Sequence, residues 1–497
     1  VEQAQVAAPP SAWGLKLAAF ARETARANAF SGTLFKMKTA GLLARLLLVM
    51  AMVASQCLPA VAAQKKTARA TGPSLIRDAE IEGLLRLYVR PIFKVAGVNG
   101  KAIKVYVIAD RRINAFVSGG QRIFIHTGLI TRAKTPNEVI GVLAHETGHI
   151  AGGHLARMGI EAEHASIQSI IGMLAGAAAI AGGAISGNKE ASKAGSGIIM
   201  GSQGFAQRGF LSYQRSMESA ADQAAIKYLA ASGQSAQGMV ELFRILANES
   251  LATAKDADPY LFSHPMPFER LRILETAAKK SAAYDKADDP ALLLRHQLAQ
   301  AKLAGFMEST QYVYQRYPSS NKSMPARYAR AITMFRKGDI KNAMPLIDGL
   351  IDELPQNPYF WELKGQAYLE NGNIKQALAP LAKANELLPN NGLIQILHAQ
   401  ALLGLETKAG ADQALKLLSL ARKTEADQPS LFKFLAQAYA QKGDIPRAEL
   451  ATAEFSLMVG DLQLAAEKAR AVQDLFKHGS PEWLRANDIL NFASKKK

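Results

Sequence analysis

The feature that most narrows what this chain can fold into is a period in its second half, of about 34 residues, the length of one helix–turn–helix repeat. Ala331, Gly338 and Ala343 stand one period before Gly365, Gly372 and Ala377, and Pro355 stands the same distance before Pro389. Ala399 and Leu402 keep the phase, whereas Ala436, Tyr439, Gly443 and Ala448 fall two periods and three positions after Gly365, Tyr368, Gly372 and Ala377. Three residues are therefore inserted, and the spacing puts them near Gly404–Gly410. A repeat of this length with small residues at fixed offsets implies stacked helix pairs. Stacking buries one continuous core and leaves a concave surface for extended or helical partners. At least four pairs are expected, in an α-solenoid over 291–490.

The first half carries a chemical constraint. Val139, Ile140, Val142, Leu143 and Ala144 lead into His145-Glu146-Thr-Gly-His149, so the segment reads as a buried helix. Residues four apart on a helix share a face, and His145 and His149 can direct two imidazole nitrogens at one tetrahedral ion. Two imidazoles and a carboxylate are costly in an apolar helix unless a metal satisfies them. Glu146 then lies beside the metal's water as a general base, which is the logic of an H-E-x-x-H metalloprotease.

With 497 residues, 49% hydrophobic and 20% charged, the chain is of globular composition and too long for one domain. Of the formal charge of +17, +13 lies beyond residue 63. No Lys/Arg tract with interleaved aromatics accompanies it, and no nucleic-acid partner is expected. Met37 to Ala63 has a basic start, an apolar core and a small-residue end, the three parts of a secretory signal. Residues 1–36 have neither signal nor globular pattern and are expected to be an upstream extension. Cys57 is the only cysteine, so cleavage after Ala63 leaves neither disulfides nor thiolate ligands. Any site must be built from His, Glu and Asp, which suits catalytic zinc, and export without disulfides fits the periplasm.

Along the rest of the first half, Leu75, Ile76, Ile81, Leu84, Leu85 and Tyr88 predict a helix leading to Pro91. Residues 103–109 and 121–127 read as strands forming a hairpin-like unit, with a sheet edge to which an extended substrate could add as a strand. The Gly/Ala-rich run 167–185 reads as a closely packed or surface-lying helix, with peripheral membrane contact as the alternative, and Gly195–Gly209 as a mobile loop. Glu218 and Asp222 stand four apart on an alanine-rich helix. Glu218 is the expected third zinc ligand, and Asp222 the acceptor that fixes the tautomer of a ligand imidazole. His126 and His154 are read as ordinary surface or core histidines.

Taken together, His145-Glu146-x-x-His149 with Glu218-x-x-x-Asp222, preceded by Asn114-Ala-Phe, Gly119-Gly120 and Thr127-Gly128-Leu129, resembles the HtpX/Ste24-type gluzincin peptidases, especially their periplasmic, repeat-carrying members. The resemblance covers about 74–275, and the repeat units are tetratricopeptide-like. It implies that His145, His149 and Glu218 bind one zinc ion per chain and that Glu146 is the catalytic base. It also draws attention to Ser263-His264-Pro265 and Arg270. His264 either occupies a fourth zinc position as a latency switch or only packs in its loop. Arg270 either assists catalysis at the oxyanion or forms a structural ion pair.

The expected chain is therefore mainly α: a zincin-type α+β metallopeptidase domain with a small sheet over 74–285, then the solenoid. The function implied is an exported zinc endopeptidase that degrades misassembled outer-membrane proteins and aids β-barrel assembly. Its repeats would dock unfolded clients or the assembly machinery. The alternative is chiefly a chaperone or assembly adaptor with latent proteolysis; a membrane-embedded peptidase is disfavoured.

Overall fold

Helix α1 (Ala79–Ala96) opens where Asp78 caps it, its side chain accepting from the Ile81 N–H, and closes at Gly97 with φ 68°. The computed structural model describes residues 74–495 apart from 101, 120, 162, 164–165, 167–170, 172, 176–188, 250–263 and 265–267. The expected extension 1–36, the signal 37–63 and most of the 167–185 run lie outside the described residues. α1 does not end at Pro91 as the sequence suggests. The carbonyl that Pro91 leaves without a donor belongs to Leu87 on the exposed face, while Ile92 and Phe93 carry the helix on into the core.

Four short strands follow a different plan from the expected hairpin. β1 (Leu75–Ile76), β2 (Lys104–Ile108), β3 (Ala115–Ser118) and β4 (Arg122–His126) lie in the order β1-β2-β4-β3. β2 and β4 are parallel, so residues 103–109 and 121–127 do not form a hairpin. The tight antiparallel pair is β3 with β4, turned at Gly119, whose φ of 59° suits glycine. Four-residue β3 is too short for its alternation to stand out, and it forms the sheet edge beside the helix that carries His145 and His149.

That helix, α3 (Pro136–Ala151), follows the short α2 (Thr127–Arg132) and is buried through Gly148. Thr135 caps it and Pro136 occupies the first turn. It packs on α1, on α4 (Lys189–Ala231) and on α5 (Gln237–Glu249). Two glycines allow this closeness: a Cβ at Gly141 would overlap Met239, and one at Gly148 would come within 3.0 Å of the Ala221 backbone. Residues 195–209, expected as a loop, are helical within α4. Isolated glycines cost a helix about 1 kcal/mol each, which neighbouring turns can offset. α6 (Phe268–Ala278) completes this half.

The second half is helical throughout. α7 (Pro290–Met307) and α8 (Thr310–Arg316) lead into α9 (Met324–Arg336), α10 (Ile340–Glu353), α11 (Pro358–Glu370), α12 (Ile374–Leu387), α13 (Gly392–Leu403), α14 (Lys408–Ala421), α15 (Pro429–Lys442), α16 (Ile445–Met458), α17 (Leu462–Leu475) and α18 (Pro481–Ser494). Gly365 faces Leu381 so closely that a side chain would overlap it, which is why the repeat keeps a small residue there. The helix boundaries locate the insertion more closely than the sequence does. α12 and α14 begin one period apart, whereas the starts of α13 and α15 are separated by a period and three further positions. The extra residues therefore lie in the α14–α15 connection, 422–428, and not near Gly404–Gly410.

This longer connection reaches the first half. Glu425 pairs with Arg77, and Asp427 pairs with Lys104 at 2.9 Å and accepts from the Tyr106 hydroxyl. α7 belongs to both halves: Ala299 and Leu303 enter the core around α1 and α3, while Leu298, Ala301 and Ala304 enter that of the first repeats. Ala79, at the start of α1, packs with Ala384 and Ile394 of the array. Below it the Lys302 ammonium is buried among Asp78 (2.8 Å), Glu80 (3.4 Å) and Glu362 (3.6 Å), and Tyr328 donates to Glu80. All described residues belong to one compact unit. Among them, no helix is long and apolar enough to cross a membrane.

Candidate metal centre

α3 presents His145 and His149 from one face, one turn apart, with their Nε2 atoms 3.0 Å from each other. α4 brings Glu218 against both: one carboxylate oxygen is 3.3 Å from His145 Nε2 and the other 3.3 Å from His149 Nε2. His264 enters from the segment before α6 with Nδ1 3.0 Å from Glu218 and 3.3 Å from His145 Nε2. Ligand atoms about 2.1 Å from a tetrahedral ion stand about 3.4 Å from one another, so these separations suit such an ion. Four candidate ligand atoms, one from each residue, all lie within 4.8 Å of one another.

The surrounding polar groups hold this constellation in place. His145 Nδ1 lies 2.9 Å from Asp222 Oδ1, one turn beyond Glu218. Asp222 accepts in turn from Arg270 at 2.6 and 2.8 Å, and a further guanidinium nitrogen is 3.0 Å from Glu218. Arg270 is thus directed onto two carboxylates of the site. Phe243 of α5 meets the edge of the His145 ring at 5.8 Å between centroids, and the Arg270 guanidinium lies over the Phe243 ring.

His154 is the residue that sequence reasoning missed. It is buried, with its Nδ1 3.1 Å from His149 Nδ1. The available signal was the Gly152-Gly153 pair just before it, a turn that returns the chain toward α3. His126 lies apart from the cluster, 3.6 Å from Asp110.

Electrostatics distinguish the carboxylates. Burial pushes Glu146 up to about 7, and both its oxygens lack hydrogen-bond partners among the described residues; one lies 3.4 Å from His264 Nε2. Burial would also raise Glu218 and Asp222, but the histidines around Glu218 and the Arg270 pair at Asp222 hold both below the usual carboxylate range. Burial lowers His149 and His264, and lowers His154 to about 4. At His145 the two carboxylates outweigh burial and raise it to about 9. With Glu218 and Asp222 ionised against Arg270, the site lacks one positive charge. A bound cation fits the same need, since imidazole must be deprotonated to coordinate. The cluster therefore suits a divalent metal: nitrogen and carboxylate donors, no thiolate, and a buried carboxylate left over.

Two histidines and a carboxylate on a buried helix, joined by further candidate ligands, backed by a small mixed sheet and followed by helix pairs, are the features of a metallopeptidase with a repeat array. Residues 79–278 match the Peptidase family M48 model and 320–403 a tetratricopeptide repeat model; the chain carries both modules and is a metallopeptidase. It is similar to the Beta-barrel assembly-enhancing protease of Yersinia pestis, 25% identical over 428 residues and 84% of each chain. Its similarity to the Beta-barrel assembly-enhancing protease of Escherichia coli (strain K12) is 23% over 390 residues, 76% of each. Over 74 residues it is 35% identical to the Mitochondrial metalloendopeptidase OMA1 of Schizosaccharomyces pombe, 14% of this chain and 22% of that one.

Proposed function

We propose that the chain is an exported, periplasmic zinc endopeptidase held in a latent state, with His145, His149 and Glu218 as ligands and Glu146 as general base. The observation that carries this reading is the position of Glu146: a buried carboxylate with a raised pKa, its two oxygens without hydrogen bonds among the described residues, next to a cluster of candidate ligands. His145, His149 and Glu218 would hold a divalent ion, which would supply Lewis acidity toward a water and the scissile carbonyl. Glu146 takes the proton from the attacking water and returns it to the departing amine. Asp222 and Arg270 hold His145 and Glu218 in place, so the ion-pair role suits Arg270 better than contact with the oxyanion. The β3 edge holds substrate as an added strand, which aligns a carbonyl without reading much side-chain sequence.

His264 accounts for latency. It faces Glu218 with one ring nitrogen and Glu146 with the other, and so stands where a water activated by Glu146 would need to be. Cleavage then requires the His264 ring to withdraw. The two relatives named for enhancing β-barrel assembly support unfolded or misassembled outer-membrane proteins as substrates, with the repeats docking them or the assembly machinery. A second reading, an assembly adaptor in which proteolysis is rare, draws on the same occluding histidine. Exposed Ile171, Met173 and Leu174 give some support to peripheral membrane contact.

The deciding experiment compares casein cleavage and zinc content in three proteins beginning at Gln64: wild type, Glu146→Gln and His264→Ala. The latent-protease reading expects Glu146→Gln to retain zinc and lose activity, and His264→Ala to exceed wild type. Slower cleavage by His264→Ala would remove the latency argument. Wild-type cleavage by Glu146→Gln would remove the mechanism. Inactivity in all three with full zinc, together with restored barrel assembly by Glu146→Gln in a deletion strain, would favour the adaptor.

A further inference from the structure

Each helix histidine turns Nε2 toward the cluster and Nδ1 away from it, but the two Nδ1 atoms meet different partners. His145 meets the carboxylate of Asp222, whereas His149 meets the imidazole of His154. We propose that His154 is a positioning residue for the metal: its unprotonated Nδ1 accepts the Nδ1–H of His149 and so holds His149 in the tautomer that offers Nε2 to the ion. The proposal rests on the reading of His149 as a ligand and assigns a partner to it.

The local backbone is built for this contact. α3 ends at Gly152, and Gly153 adopts φ 62°, a left-handed turn that reverses the chain before a helical stretch resumes at His154. A Cβ at Gly152 would overlap three atoms of the His154 ring, including Nε2. The absent side chain at Gly152 is therefore the space in which the ring lies. Two independent features, a turn that only glycine adopts easily and a gap shaped to an imidazole, bring His154 onto His149.

The chemistry fixes the direction of the hydrogen bond. With His149 Nε2 given to the ion, its ring proton must reside on Nδ1, and the facing nitrogen has to be an acceptor. His154 then carries its own proton on Nε2. An imidazole acceptor adds no charge, unlike Asp222, so the two ligands are oriented equally but only His145 is also made more electron-rich by a carboxylate.

Zinc affinity, measured by competition with a chromogenic chelator, tests this without turnover. The variants are His154→Phe, which keeps a ring but removes the acceptor, His154→Asn, which can offer an amide oxygen at the same place, and Gly152→Ala, which displaces the ring without changing it. His154→Phe and Gly152→Ala are expected to bind zinc about 10- to 100-fold more weakly than wild type. His154→Asn should recover most of that loss. In the cobalt-substituted protein, the exchangeable His149 Nδ1 proton should exchange with solvent faster in His154→Phe than in wild type or His154→Asn. Wild-type affinity in His154→Phe would overturn the proposal. So would equal weakening in the Asn and Phe variants together with equally lowered melting of their metal-free forms, the signature of packing alone. His149→Ala serves as the control: if it retains tight stoichiometric zinc, the ligand assignment itself has failed and not merely the role of His154.

Discussion

At the scale of single residues, the site is a charge balance that a bound cation would complete. Asp222→Asn keeps the shape of the side chain but removes the charge that faces His145 and Arg270. Zinc affinity is expected to fall about 10- to 100-fold, measurable by chelator competition. Arg270→Met leaves Glu218 and Asp222 buried without their counter-charge, and breaking a buried pair from one side costs about 3–5 kcal/mol. Its melting temperature should drop before any kinetic comparison is possible; an unchanged melt with reduced kcat would instead restore the oxyanion role. The proposed ligands were legible as residue types and spacing, because helical geometry alone puts His145 and His149 on one face. His154 was not, because its place depends on a turn that reverses the chain, and nothing in its distance from His149 announces that.

Among the elements, α3 is set by its neighbours more than by its own propensity. Gly141 is close enough to Met239 that an added methyl group must push α3 and α5 apart. Gly141→Ala, a helix-favouring change in isolation, is expected to destabilise by about 1–3 kcal/mol, read as a lower denaturant midpoint. The same substitution at exposed Gly159, where no atom would lie within 4 Å of the new Cβ, should be neutral or stabilising. Helix, strand and repeat patterns could be read from periodicity. The parallel pairing of β2 and β4 could not, since short strands carry no mark of direction. The helical state of 195–209 was hidden by glycines, whose low propensity the continuing turns of α4 override.

For the whole molecule, the seam between the halves carries a pH dependence. Burial pushes Glu362 up to about 7 from an ordinary value of 4.5, among Asp78 and Glu80 with Lys302 as their shared cation. The folded state therefore holds this proton more tightly than the unfolded one. Its contribution to stability is full below about pH 4.5 and is lost as pH rises through about 7. Melting curves taken from pH 5 to pH 8 should show this loss, and Glu362→Gln should flatten it and melt higher than wild type at pH 8. At the far end of the seam, Arg77→Ala removes the partner of buried Glu425. Hydrogen exchange in 422–428 is expected to rise without change at the His145–Glu218 cluster.

The sequence by itself determined the chemistry and the architecture class, because both are local or periodic. H-E-x-x-H is readable at helical spacing, Glu218 and Asp222 fall one turn apart on an alanine-rich helix, and one repeat period makes one helix pair whatever its neighbours are. Tertiary structure alone decided what lies between such units. It moved the three inserted residues into the 422–428 connection, where Glu425 and Asp427 meet Arg77 and Lys104, and made α7 common to both cores. It set the Lys302 cluster between α1 and the repeats, and brought His154 and His264 to the ligands from segments that carry no ligand spacing. These outcomes share one physical reason. Burial and charge pairing between distant segments depend on which surfaces meet, and neither periodicity nor propensity encodes that within a single stretch of chain.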